Sequence, residues 1–267
     1  MQYGLYISAS AVSAAMARQD VLSNNLANVN TVGFRPDSLD VRSRTAVREE
    51  DGVALGAFSS GHLLEKLGAG VYPVRTSVSL SQGSLRETKN PLDLALEGNG
   101  FFVTHVGNPG EEGDDSGVTT NIRFTRDGRM TTRFDGTLVN SASGFPVLTD
   151  SGSTVRINTT SGLPVSIESD GTIHQGASVL GKLQIATVAD PSRLIKEGDS
   201  LLRPEGQSVE SGTAMVRPGY LESSSTDPIR AMIGVTSASN AASGALAMIS
   251  YYSDIMSRAI QSLGRVS

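Results

Sequence analysis

The sequence predicts an α+β chain in which paired long N- and C-terminal helices, coiled-coil-like, flank a β-rich central domain. Three observations carry that prediction. Apolar residues recur every three or four positions over Gly4–Asn28 and again over Ile229–Leu263, at the two ends of a 267-residue chain. That spacing is what a helical packing face requires. Between the ends, Asp127-Gly128, Asp135-Gly136 and Asp170-Gly171 each sit between strand-like flanks, the sequence form of a hairpin turn. The composition is rich in Gly, Ser and Thr, poor in aromatics and free of Trp. It favours short strands, turns and small-residue helices over one large core.

Composition also narrows function. A net charge of −5 without a Lys/Arg block gives nucleic acid no phosphate track. With no Cys, neither a disulfide framework nor a thiolate metal site is available. Met1–Ala17 lacks the basic start and continuous apolar run of a cleavable signal. No stretch is expected to approach the length needed to span a bilayer, so no membrane insertion is predicted.

In the first helix, Leu5, Ala9, Val12, Met16, Gln19, Leu22 and Leu26 form the expected seam, with Ser10, Ser13, Arg18 and Asp20 opposite. The stripe is narrow and Ala-rich, closer to a coiled-coil seam than to a globular helix face. The helix runs out at Asn24, Asn25, Asn28 and Asn30, whose amides compete for backbone groups inside a helix and satisfy spent carbonyls at its end. Gly33 suits the positive φ that reverses a chain after a helix, and Phe34 folds back onto it. An ordinary helix cap accounts for Gly33 but not for four asparagines around Leu26-Ala27. The run from Asn24 to Phe34 resembles the signature of the flagellar axial proteins, the bacterial rod and hook family. That pattern is close to Asn-Asn-Leu-Ala-Asn-x-x-Thr-x-Gly-Phe.

Arg35–Lys66 is the least patterned segment, with a charge run over Arg42–Asp51 and small residues over Gly52–Gly61. It reads as a long solvated loop, of a length that is often functional. In rod members of the family a comparable insertion follows the Gly-Phe. Val71, Val74, Val78, Leu80 and Leu85 then mark short strands. Asn90-Pro91 makes a turn, and Leu92, Leu94 and Leu96 alternate as a half-buried strand. Gly98 and Gly100 allow a tight turn into Phe101-Phe102-Val103. Asn90, Pro91, Leu92, Asp93, Gly98, Gly100, Phe101 and Phe102 together resemble a second family motif, Asn-Pro-Leu-Asp-x-Ala-x-x-Gly-x-Gly-Phe-Phe. A nucleotide loop at Gly98-x-Gly100 is disfavoured, because the sixth-position Gly and a following helix are missing.

The acidic, Gly-rich run Gly107–Gly117 reads as a hairpin tip, since it lacks the ligand spacing of a calcium loop. Further strands are expected over Val179–Val188 and Ser200–Leu202. Gly219-Tyr220-Leu221-Glu222 resembles, more loosely, another family segment. Thr226 or Asp227 can then cap a helix that starts with Pro228. The second helix carries Ile229, Met232, Val235, Ser239, Ala242, Leu246, Ile249, Tyr252, Met256, Ile260 and Leu263 on its expected seam. Gly234 and Gly244 each cost it about 1 kcal/mol relative to Ala, so it needs packing partners.

The chain therefore divides into a discontinuous helical axial domain (1–34 and 225–267), an extended insertion (35–67) and a β-rich outer domain (68–224). The resemblance covers both termini and Gly68–Leu148, and Ser151–Met215 only in turn placement. It implies a structural subunit of the flagellar basal-body rod, partnered by copies of itself and by other rod and hook proteins. It also implies export through the flagellar type III apparatus to the periplasmic rod. The opening Gly4-Leu5-Tyr6 and Arg18–Leu22 resemble the proximal-rod F-type members, with the distal-rod G-type next and the usually longer hook chains behind. Leu5, Val12, Leu22, Leu26, Ile249, Tyr252, Met256 and Ile260 are the expected subunit-packing residues, and Asn24, Asn25, Asn28, Gly33 and Phe34 the hinge. The competing function is a secreted β-rich hydrolase. Its candidate acids Asp93, Glu97 and Asp127 lie in turns or alternating strand, and His62, His105 and His174 lack zinc spacing. No catalytic residue, cofactor or metal is predicted.

Overall fold

The computed structural model describes residues 2–44, 70–107, 121–206 and 209–263. The small-residue run Gly52–Gly61, His62, most of the charge run and nearly all of the acidic run lie outside the described residues. The chain is mixed helix and strand, with an N-terminal and a C-terminal helix flanking a strand-rich middle. It resolves into two compact units.

The helical unit comprises the described residues of Met1–Leu26, Asp37–Thr76 and Pro228–Ser267. Helix α1 (Gln2–Ala27) is followed by β1 (Asp37–Ser38), β2 (Val41–Ser43) and β3 (Val71–Pro73). β2 and β3 pair antiparallel with Arg42 opposite Tyr72. The expected loop thus carries paired strand in its described part. β3 is tied to α1 through Ser10, whose hydroxyl accepts from the Val71 N–H at 3.2 Å and donates to the Ile7 carbonyl at 2.7 Å.

Helix α2 (Pro228–Leu263) begins at Pro228, whose missing N–H costs nothing in a first turn. A Cβ on Gly4 would sit 2.7 Å from the Tyr252 ring, and one on Gly234 would sit 2.9 Å from Leu22 Cδ1. The start of α1 thus meets the later part of α2, and the end of α1 meets its beginning, so the two run antiparallel at these points. The buried residues of the helices are Ala14, Asn25, Ala231, Ala238 and Ala242. That corrects the expected seams: Leu5, Met16, Ile229, Met232, Leu246, Met256 and Ile260 are exposed. Four alanines turn inward while these seven bulky side chains turn out. α2 is also long and apolar enough to cross a membrane by length and composition alone. The expectation that no stretch approaches that length is therefore corrected. No charge interrupts the run between Arg230 and Asp254.

The β-rich unit comprises the described residues of Ala27–Pro36 and Ser77–Asp227. It opens with β4 (Ser77–Val78), β5 (Leu85–Glu87), β6 (Leu94–Glu97), β7 (Phe101–His105) and β8 (Ile122–Thr125). Next come β9 (Met130–Thr132), β10 (Leu138–Asn140), β11 (Val165–Ile167), β12 (Thr172–Gln175), β13 (Ser178–Lys182) and β14 (Ile185–Thr187). A short 3₁₀ turn at Pro191–Arg193 leads to β15 (Leu194–Glu197), β16 (Leu201–Pro204), β17 (Glu210–Ser211), β18 (Met215–Pro218) and β19 (Tyr220–Glu222). Six strands form the main sheet in the order β15-β16-β8-β7-β14-β17. β11-β12-β13 make a smaller sheet, and β10-β9, β18-β6 and β19-β5 form two-stranded ribbons.

Adjacent side chains on β7 serve two cores. Phe102 packs with Leu94, Leu96, Leu138 and Ile173, whereas Phe101 and Val103 pack with Phe124, Leu148 and Leu202. This is the period-two alternation of a strand covered on both sides. β6 is likewise buried through: Leu94, Ala95 and Leu96 are all inaccessible, which corrects the half-buried reading of the leucine alternation.

Two of the three Asp-Gly turns close hairpins, Asp135-Gly136 between β9 and β10 and Asp170-Gly171 between β11 and β12. Asp127-Gly128 does not. β8 pairs with β7 and β16 rather than β9, and Asp127 is buried and hydrogen-bonded to Arg129. Gly128 lies where a Cβ would fall 1.5 Å from the Leu94 carbonyl oxygen, so close approach requires the glycine there.

Candidate functional site

The end of α1 turns one asparagine side chain to backbone and another to a hydroxyl. Asn25, buried, donates from Nδ2 to the Asp37 carbonyl at 2.8 Å and accepts from the Asp37 N–H at 2.9 Å. One amide side chain thus mimics a strand rung. Asn28 accepts from the Thr31 hydroxyl at 3.1 Å, and its carbonyl accepts from the Thr31 N–H at 3.2 Å. Asn24 and Ala27 are exposed and Leu26 is half-buried. Gly33 adopts φ +66° and donates to the Glu222 carbonyl at 2.8 Å. Phe34 is buried, with Lys196 Nζ 4.3 Å from its ring centroid, within cation–π range.

The second motif builds the turn into β6. The Asn90 side chain accepts from Leu92 N–H at 3.3 Å and donates to Asp93 Oδ1 at 3.1 Å, holding Pro91 at an exposed corner with Leu92 half-buried beyond it. The Asp93 carbonyl accepts from Gly219 N–H at 2.7 Å. Gly98 takes φ +102°. Gly100 is buried where a Cβ would fall 2.7 Å from Ile185 Cγ2.

These segments converge on a buried charge cluster. The Glu222 carboxylate faces Arg35 Nη2 at 2.9 Å and Arg126 Nη1 at 3.0 Å, and all three side chains are almost wholly inaccessible. Oε1 also accepts from Gly83 N–H at 2.8 Å. Arg126 donates to the carbonyls of Leu96 at 3.2 Å and Gly98 at 2.6 Å and lies 5.4 Å from the Phe101 ring centroid. Arg35 donates to the Ser81 carbonyl. Burial pulls the Arg35 pKa down to about 10, with Glu222 opposing and Arg126 adding. Burial lowers Arg126 too, again against Glu222. Sequence reasoning singled out the segments but not Arg35 and Arg126, nor the role of Glu222. The available signal was a charged residue directly after a buried one at the end of each segment: Phe34-Arg35, Thr125-Arg126 and Leu221-Glu222.

The carboxylates considered for hydrolysis are otherwise engaged. Asp127 is held by Arg129 at 2.5 Å and Glu97 by Arg217 at 2.6 Å, while Asp93 takes the Asn90 amide. His174 Nε2 lies 3.0 Å from Glu168. Among the described residues no group of three or more His, Asp or Glu is placed to hold a metal ion. What the cluster can do is lock geometry: one anion draws the segment after α1, the β6–β7 turn and the end of β19 onto one point.

On the helices, Val12, Leu22, Leu26, Ile249 and Tyr252 are half-buried, and Leu5, Met256 and Ile260 are exposed. Leu22 and Tyr252 touch the opposite helix at Gly234 and Gly4.

Comparison with known proteins points the same way. A family model described as "Flagella basal body rod protein" matches residues 5–35, ending on Arg35 of the charge cluster. The flagellar basal-body rod protein FlgF of Caulobacter vibrioides is 30% identical over 271 residues, covering 100% of both chains. FlgF of Mesorhizobium japonicum is 27% identical over 271 residues, again 100% of both. The flagellar basal-body rod protein FlgG of Bacillus subtilis is 29% identical over 244 residues, 85% of this chain and 86% of that one. With 30% identity to a rod protein over the whole length of both chains, the chain belongs to the flagellar basal-body rod protein family, as a structural subunit of the rod.

Proposed function

We propose that α1 and α2 pair along a coiled-coil-like seam, and that copies of this pair, with related axial proteins, stack as the inner wall of a hollow shaft. The β-rich unit forms the outer layer. The shaft transmits torque and passes export substrates, and the subunit reaches it through the flagellar type III apparatus without catalysis or cofactor. The observation that carries this reading is the surface of α2, where Ile229, Met232, Ile233, Leu246, Tyr251 and Ile260 are all more than half exposed. A free chain gains nothing by presenting so much apolar side chain to water, whereas crowded neighbours bury it. Leu5, Val12, Leu22, Leu26, Ile249, Tyr252, Met256 and Ile260 supply the packing, and the Asn24–Phe34 hinge sets where helix gives way to body.

Full-length identity to FlgF proteins supports the F-type, proximal position. Basal bodies purified from the bacterium carrying the gene, with this chain epitope-tagged, provide the test. The chain should co-purify with the rod and stay there when distal rod assembly is blocked. Recovery of the chain only as free monomer would overturn the reading.

A further inference from the structure

The β9–β10 turn carries a side chain that its own fold does not use. Gly136 N–H closes the turn onto the Arg133 carbonyl at 2.9 Å, and the Asp135 carboxylate accepts from Thr137 N–H at 3.0 Å. These two residues meet the conformational needs of the turn. Phe134, between them, meets none, and it is fully exposed at 107% relative accessibility. A polar residue would make the same turn without presenting a ring to water. Elsewhere in the β-rich unit a cleft of about 600 Å³ opens beside β14 and β18. Its exposed apolar side chain is Met215, beside the almost wholly buried Leu183 and Ile185, and its charges come from Asp150, Asp170 and Lys182.

We propose that Phe134 of one copy of this chain seats in this cleft on a neighbouring copy, forming a head-to-tail contact between β-rich units. Charge matches the two surfaces. The tip carries Arg133 and Asp135 and is bridged through Thr137 to the exposed Arg156, giving two cations and one anion. The cleft carries two anions and one cation. A protrusion and a recess on different parts of one molecule make a heterologous interface, which propagates rather than closing as a symmetric dimer does. The inference rests on the rod assignment and adds to it a specific contact outside the helices.

The chain has no cysteine of its own, so disulfide trapping tests the contact. Full-length chain carrying Phe134→Cys and Thr213→Cys is expressed, and purified basal bodies are oxidised. The expected result is a ladder of dimers and higher species at least fivefold above either single-cysteine chain. Arg133→Glu should lower incorporation into basal bodies at least fivefold, and Asp170→Lys in the same chain should restore it. Basal bodies that contain the double-cysteine chain but give no ladder, a Phe134→Cys dimer without any ladder, or failure of the charge exchange to restore incorporation overturns the contact and leaves the rod assignment standing. Absence of even the wild-type chain from basal bodies overturns both.

Discussion

Glu222 answers two guanidinium groups and a backbone N–H at once. A buried ion pair rarely adds much over a hydrophobic substitute, but removing one partner strands the other charge. Glu222→Gln leaves Arg35 and Arg126 buried without their counter-charge and should cost about 3–5 kcal/mol of unfolding free energy. Arg35→Met leaves the Arg126–Glu222 pair one-to-one and should cost less than about 2 kcal/mol. Burial has pulled the Arg35 pKa down to about 10, so the folded chain holds that proton less tightly than the unfolded chain. The charge is therefore a net cost at neutral pH, relieved only as pH climbs past that value. Urea unfolding of both variants checks the order; equal losses would refute the counter-charge argument. Glu197 runs the other way. Burial alone would raise its pKa, but hydrogen bonds from Arg123 and Arg203, each at 2.5 Å, hold it below the usual carboxylate range. A depressed acid stabilises above its unfolded pKa, and that stability is lost as pH falls through the folded one. Since Glu197 is partly exposed, the deficit of Glu197→Gln should be about 1 kcal/mol at neutral pH after solvent screening. It should close only as pH falls through that depressed folded value, below the usual carboxylate range, as thermal melts at neutral and acid pH will register.

At the scale of elements, the glycines of α2 separate helix propensity from packing. A Cβ on Gly244 meets nothing within 4 Å, whereas one on Gly234 presses on Leu22 Cδ1 at 2.9 Å. Gly244→Ala should therefore raise the stability of the helical unit by about 0.5–1 kcal/mol. Gly234→Ala should gain less, because Leu22 has to shift its tip, and thermal melts of the free chain read the difference. The start of α2 at Pro228 and the hairpins at Asp135-Gly136 and Asp170-Gly171 were legible in the sequence, because caps and turns are decided by residues next to one another. Asp127-Gly128 has the same local form but no hairpin, because Asp127 is claimed by Arg129 and Gly128 by Leu94. The seams were misread for a related reason. Ranking by side-chain size puts Leu5, Met232 and Ile260 inside, whereas these helices bury Ala14, Ala231, Ala238 and Ala242. In the site, Asn90–Phe102 and Asn24–Phe34 could be recognised as segments. Their meeting at Arg126 and Glu222, 96 positions apart, could not, because no local pattern encodes which distant charges pair.

For the molecule as a whole, the two units have different reasons to stay folded. The β-rich unit owns two buried clusters that include Phe101, Phe102, Phe124 and Leu138. The helices bury mainly alanines, each worth far less than a leucine or phenylalanine in apolar area. α2, at 36 residues, also carries Gly234, Gly244, seven serines and Thr236, so helix propensity alone does not hold it. Local opening should therefore begin at the chain ends and spare the body. In dilute solution, limited proteolysis should remove about 30 residues from the front and about 40 from the back, while a fragment spanning the β-rich unit persists. In purified basal bodies the same ends should resist digestion, because neighbours bury the exposed faces of α2 and stabilisation by a partner acts only on the state it binds. Mass spectrometry of the digests reads both conditions. Ends that are equally resistant in dilute chain and in assembled rods would mean the helices are self-sufficient, and the exposed Ile233, Leu246 and Ile260 would then no longer argue for crowded neighbours.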